Sequence, residues 1–263
     1  MASNARNKPP GTTSRRGSKA APRGPGRPPA SAGDQLSRAA IIAHTLELAK
    51  TTPLHELSVV AVARDLGVAP GLVHYYLGSR DKLISGVMNG FYRLIATDWP
   101  PPTEDWRADL DSAGRRLHRF HVEYVGIAAY VTAHNRFRMA QLVEPGEVDY
   151  GLLLFDRFVG VVRRLGFDAR RTATYAQLLV DFLVTSATST LRRRWPDEHA
   201  AFMERVFSRL DPAVYPHASF VRRDFISTSA QSAFEAGWSL VLAGIESERA
   251  LALTPTDRGT GRR

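Results

Sequence analysis

The stretch GVAPGLVHYYLGSRDKL, residues 67–83, decides the fold. Gly67 closes one apolar run, and a second run opens behind Pro70, at the first helical position, where the missing N–H costs nothing. Leu72, Val73 and Leu77 then fall at helical spacing and read as an inward face. Gly71, His74 and Tyr75 are left pointing outward. Ser79 starts a further helix, with Asp81 suited to its N-terminal dipole end. A short helix that turns an imidazole and phenols outward is built to touch something.

Working back from this stretch, Ser58 reads as the N-cap of a helix SVVAVARDL, which stops at Gly67. Ser37 reads as the N-cap of a helix running to Ala49. Each start carries an apolar pair placed as a hydrophobic staple: Leu36 with Ile41, Leu57 with Val62, Val68 with Val73. Two short helices joined by a glycine turn, after a first, make a helix-turn-helix unit. Ala63 supplies the small residue at the helix crossing, Gly67 the turn, and Val68 the apolar residue after it.

Residues 36–83 resemble the DNA-binding domain of TetR-family transcriptional regulators. The resemblance rests on Ser58, Val62-Ala63, Gly67-Val68-Ala69, Val73-His74-Tyr75-Tyr76-Leu77 and Ser79-Arg80-Asp81-Lys82-Leu83. The chain departs from the family's pattern at Ala69 (usually Ser), His74 (Tyr), Leu77 (Phe) and Arg80 (Lys). The resemblance implies an operator-binding homodimer that answers to a small molecule, most often a repressor. It also implies that Ser58 contacts phosphate. Pro70, Gly71, His74 and Tyr75 are expected in the major groove, where Pro70 can touch a thymine methyl. Tyr75, Tyr76, Arg80 and Lys82 are expected to bond phosphate.

The 263 residues carry a net charge of +9. Residues 1–33 hold seven basic residues and no acid, which leaves only +2 for the rest. That segment is rich in Gly, Pro, Ser and Ala and cannot repay its ordering entropy by burial. Residues 1–34 therefore read as a disordered basic arm. Its GRPP element (26–29) offers Arg27 to a narrow minor groove. Four basic residues are lysine and 31 arginine. The chain has no cysteine, which excludes disulfides and thiolate metal sites and points to a reducing cytoplasm. No apolar run approaches the length of a membrane span.

The expected fold is all-α: the helix-turn-helix domain over 35–84, a helical regulatory and dimerisation domain over 85–250, and a flexible tail over 251–263. Helices are expected at 79–98, 104–125, 127–141, 149–165, 168–195, 197–210 and 225–250, with LDPAVYPHASF (210–220) a loop. Helices 168–195 and 225–250 carry many small residues and are expected to form the dimer seam, with Gly237 inside it. Polar side chains among apolar ones in the middle helices suggest a cavity that a ligand completes. The expected lining is His121, Phe137, Phe155, Phe158, Leu178, Asp181 and Phe182. His118 and His121 could share a metal only with a third ligand, and none is evident. No cofactor is expected, and no catalytic motif is present: no nucleophile elbow, P-loop, GxGxxG or metal signature. Two other readings are a nucleoid-type protein that binds DNA without sequence choice and a helical enzyme with an accidental helix-turn-helix.

Overall fold

A computed structural model describes residues 36–133, 139–189 and 195–253. The arm with Arg27, most of the 251–263 tail, and Phe137 lie outside the described residues. All regular structure among the described residues is helical, with no strand.

Helices α1 (Arg38–Leu48), α2 (Val59–Asp65) and α3 (Pro70–Leu77) form the N-terminal unit. Each expected cap is made: Ser37 Oγ accepts from Ala40 N–H at 3.1 Å and Ser58 Oγ from Ala61 N–H at 3.0 Å. Ala69 offers α3 no side-chain cap, and Pro70 takes the first helical position. Gly67 turns the chain at φ +68°, a left-handed value that costs glycine nothing. Ile41, Val62, Ala63, Val73 and Leu77 meet in one core.

Helix α4 (Arg80–Ala96) leaves this unit and enters the regulatory body, capped by Ser79 Oγ on Lys82 N–H at 3.2 Å. The body holds α5 (Trp106–Glu123), α6 (Val125–Ala133), α7 (Tyr150–Arg163) and α8 (Ala169–Thr188). A short 3₁₀ turn (Pro196–His199), α9 (Ala200–Phe207) and α10 (Pro216–Ile226) follow, and α11 (Ala230–Leu253) closes the fold. Helix α11 lies against α5 and α8. Its buried Trp238 stacks near Phe182, and the indole N–H donates to Asp111 Oδ1 at 2.7 Å.

The C-terminal end of α4 is held from two sides. Arg116 of α5 donates to the carbonyls of Leu94, Ile95 and Thr97, and Arg157 of α7 donates to that of Ala96. These are carbonyls that a helix end leaves without intrahelical partners. The proline-rich loop behind α4 is fixed by buried Asp109, which accepts from Thr103 N–H and from Arg164. Burial opposes the Asp109 charge, but the Thr103 bonds and Arg164 outweigh it and hold its pKa below the usual value.

The two domains also meet through backbone. Gly126, at the start of α6, donates to Ala49 O at 3.0 Å and accepts from Leu54 N–H at 3.1 Å. Lys50 reaches over the Tyr124 ring, 5.1 Å from its centroid.

The expected loop at 210–220 is corrected. Pro216 starts α10, because proline is pre-organised for a first helical turn. The expected single helix over 225–250 is split at Ser227–Ser229. The Ser227 and Thr228 hydroxyls fold back on Asp224 O, and Ser229 Oγ caps α11 through Ser232 N–H. Serine and threonine at such breaks satisfy backbone groups locally. The expected 127–141 helix ends at Ala133 where it is described, and 168–195 ends at Thr188.

Candidate DNA interface and effector region

Helix α3 shows the face that its spacing predicts. Val73 and Leu77 are buried, Leu72 is half-buried, and Pro70, Gly71, His74 and Tyr75 are exposed. Tyr75 is 81% exposed, with its ring left in water. Half-buried Tyr76 meets it edge to face, with ring centroids 5.4 Å apart. Tyr76 thus props Tyr75 while keeping contact with the core. Ser58 is exposed at the start of α2, its hydroxyl oxygen engaged by Ala61 N–H.

The two expected phosphate-binding cations are already engaged. Arg80 Nη2 donates to His55 O at 2.7 Å, tying the loop before α2 to the start of α4. Lys82 Nζ lies 3.3 Å from Glu144 Oε1, on the segment that joins α6 to α7. Sequence reasoning missed Arg64, exposed in the last turn of α2 with no ion pair among the described residues. Its signal was legible: Val59, Val62 and Ala63 face inward, so Val60 and Arg64 face out.

The structure does not gather the expected ligand-lining residues into one chamber of the protomer. Phe158 is 3% exposed and His121 is 4% exposed, both facing the core. Phe182 is half-buried against Phe234 and Trp238. Phe155, Leu178 and Asp181 are exposed. Helical phase is the reason. Helix α7 turns Gly151, Leu154, Phe158 and Val162 inward, and α8 turns Thr172, Ala176, Leu179 and Leu183 inward. Positions 155, 178 and 181 fall off those stripes.

His121 meets Phe91 edge to face at 5.0 Å, and its Nδ1–H donates to Leu117 O at 2.8 Å. Burial pushes its pKa down to about 4, so the ring is neutral at physiological pH. His118 stacks on Phe234 and is likewise pushed down to about 4, chiefly by burial, with His121 adding to the effect. Among the described residues, no cluster of three or more His, Cys, Asp or Glu side chains could hold a metal ion.

Helices α8 and α11 leave an outward stripe. On α11 it runs through Ala236, Leu240, Ala243, Gly244, Ser247 and Leu251, with Leu240 73% and Leu251 71% exposed. On α8 it runs through Thr174, Leu178, Asp181 and Thr185. Gly237 is not on this stripe. A Cβ there would lie 2.9 Å from Phe182 Cζ, within the protomer.

A tetracyclin repressor-like C-terminal domain matches residues 99–249, more than half of the chain. The chain belongs to the TetR family of ligand-responsive transcriptional regulators. Its fold is also that of solved TetR-family structures. Apo ActR from Streptomyces coelicolor shares 19% identity at a TM-score of 0.65, covering 82% of this chain and 98% of that one. The Streptomyces coelicolor TetR regulator SCO7222 shares 19% identity at 0.61, covering 81% and 98%. ActR in complex with actinorhodin gives 19% identity at 0.62, again with 81% and 98% covered. No curated protein sequence matches the chain. Regulators of this family are generally non-enzymatic. Among the described residues no helix is long and apolar enough to cross a membrane.

Proposed function

We propose that this TetR-family regulator is a cytoplasmic repressor that binds a near-palindromic operator as a homodimer and is released by a small molecule. The observation that carries the reading is the outward face of α3, with Tyr75 held in water by Tyr76 beside exposed His74, Gly71 and Pro70. An imidazole, a phenol and a glycine that bares backbone, together at the head of a short helix, are groups that a major groove can receive. His74 and Tyr75 read bases, while Ser58, Tyr76, Lys82 and Arg64 contact backbone phosphate. Arg80 acts mainly by positioning the loop before α2, and Arg27 reaches the minor groove from the arm.

The homodimer is supported by the outward stripe of α8 and α11, whose small residues allow two copies to approach closely. Leu178 and Asp181 lie on this stripe. An effector reaches His121, Phe158 and Phe182 only by parting the packed core of the regulatory body, since the three line no common chamber in the protomer. No catalytic role is proposed for any of these groups.

Selection of bound duplexes from a random pool tests the reading. Two half-sites about 34–36 Å apart, one helical turn, are expected. Equal affinity for selected and random duplexes would instead favour a nucleoid-type protein.

A further inference from the structure

Residues 139–149, which lead into α7, form a bracket held from two sides. Asn89, midway along α4, grips it twice. Its Nδ2 donates to Val148 O at 3.0 Å, and its Oδ1 accepts from Tyr150 N–H at 2.8 Å. On the regulatory side Asp149 caps α7 through the N–H groups of Gly151 and Leu152 and accepts from Gln141 N–H at 2.8 Å. A Cβ on Gly151 would lie 1.9 Å from Met139 O, so the first turn of α7 rests directly on the bracket. Within it, Glu147 Oε2 accepts from Glu144 N–H at 3.0 Å, which fixes both glutamates relative to each other.

Both carboxylates then land on cations of the DNA-binding domain. Glu147 Oε1 lies 2.8 Å from Arg38 Nη1, at the start of α1. Glu144 Oε1 lies 3.3 Å from Lys82 Nζ, in the first turn of α4. Lys82 sits beside the end of the recognition helix, since a Cβ on Gly78 would be 3.8 Å from Lys82 Cδ.

We propose that Glu144 and Glu147 are a built-in competitor of operator phosphate, an autoinhibitory contact that lowers DNA affinity and links it to the position of α7. This rests on the DNA-binding reading above. A lysine paired with a carboxylate has a smaller gain left to make with a phosphate. The carboxylate also repels any phosphate that comes within a Debye length. Exposed pairs of this kind are weak, so DNA can displace them, at a cost in affinity. Because the bracket carries the first turn of α7, a shift of that turn moves both carboxylates relative to their cations. Regulation then has a route to the DNA-binding face besides α4.

The test compares wild type, the Glu144→Gln/Glu147→Gln double variant and Glu204→Gln, which removes an exposed charge on α9. The probe is the duplex that wild type selects from a random pool, at low and at high salt. The double variant should bind about 3- to 10-fold more tightly at low salt, with the gain fading at high salt. Glu204→Gln should bind as wild type. Unchanged or weaker binding by the folded double variant overturns the proposal. So does an equal gain in Glu204→Gln, which marks a general charge effect. Wild type that selects no sequence overturns the DNA-binding reading itself and this proposal with it.

Discussion

A Cβ placed on Gly126 would stand 2.0 Å from the carbonyl oxygen of Thr52. No side chain fits between them, so the start of α6 and the loop behind α1 are pressed together backbone to backbone. The Gly126 bonds to Ala49 and Leu54 depend on that approach. Gly126→Ala must therefore separate the two domains. Overpacking of this kind costs about 1–3 kcal/mol. A fall in Tm is expected, with DNA affinity changed although residue 126 lies away from the recognition helix. A variant that melts and binds DNA as wild type does would refute this.

The recognition helix separates reading from holding. Tyr75→Ala removes an exposed ring and should leave Tm unchanged while weakening binding to the selected duplex by about 1–3 kcal/mol. His74→Ala should relax base choice at one position per half-site. Arg80→Ala should lower Tm, because its bond to His55 O is lost. Circular dichroism melts alongside fluorescence anisotropy separate these outcomes. Equal effects of Tyr75→Ala and Arg80→Ala on both measurements would contradict the assignment.

The dimer seam is tested by two arginines on one helix. Gly244 faces open space in the protomer, with nothing within 4 Å of a Cβ there. Gly244→Arg should fold normally and sediment as a monomer, with weaker DNA binding because two half-sites are no longer engaged as one unit. Gly237→Arg should destabilise the protomer itself, because its side chain starts against Phe182. A normal dimer from Gly244→Arg would place the seam elsewhere.

Acid sensitivity follows from His121. Its pKa falls from 6.5 to about 4 on burial. Below pH 6.5 the unfolded chain binds a proton that the folded chain refuses, so stability declines as pH drops from 6.5 towards 4. The sign follows from linkage, and the loss reaches about 3 kcal/mol for this one group. His121→Phe keeps a ring against Phe91 and should lessen the decline over that interval without abolishing it, because His118, also pushed down to about 4, still contributes. Denaturant melts across the range measure it, and an unaltered pH slope in the variant would count against a neutral buried imidazole.

The N-terminal unit was legible almost residue by residue because its signals are local. Three serine caps, a left-handed glycine and Pro70 act within one turn of where they stand. The effector region was not, because apolar and polar composition does not fix helical phase. Phe155 and Phe158 look alike in sequence, yet three residues turn one of them to solvent. Tertiary partners were equally hidden. Nothing near Arg80 announces a bond to His55, and the Lys82–Glu144 pair spans 62 positions. The break at Ser227–Ser229 has a local signal in its clustered hydroxyls, and the start of α10 has one in Pro216.

The grip of Arg116 and Arg157 on the last carbonyls of α4 makes that helix a lever with its fulcrum end clamped. Its 17 residues span about 25 Å at 1.5 Å per residue. A tilt of about 5° at the clamp would carry the far end about 2 Å, by the geometry of a rigid rod of that length. In a symmetric pair the two displacements add, so the spacing of two recognition helices is set by angles too small to disturb the core.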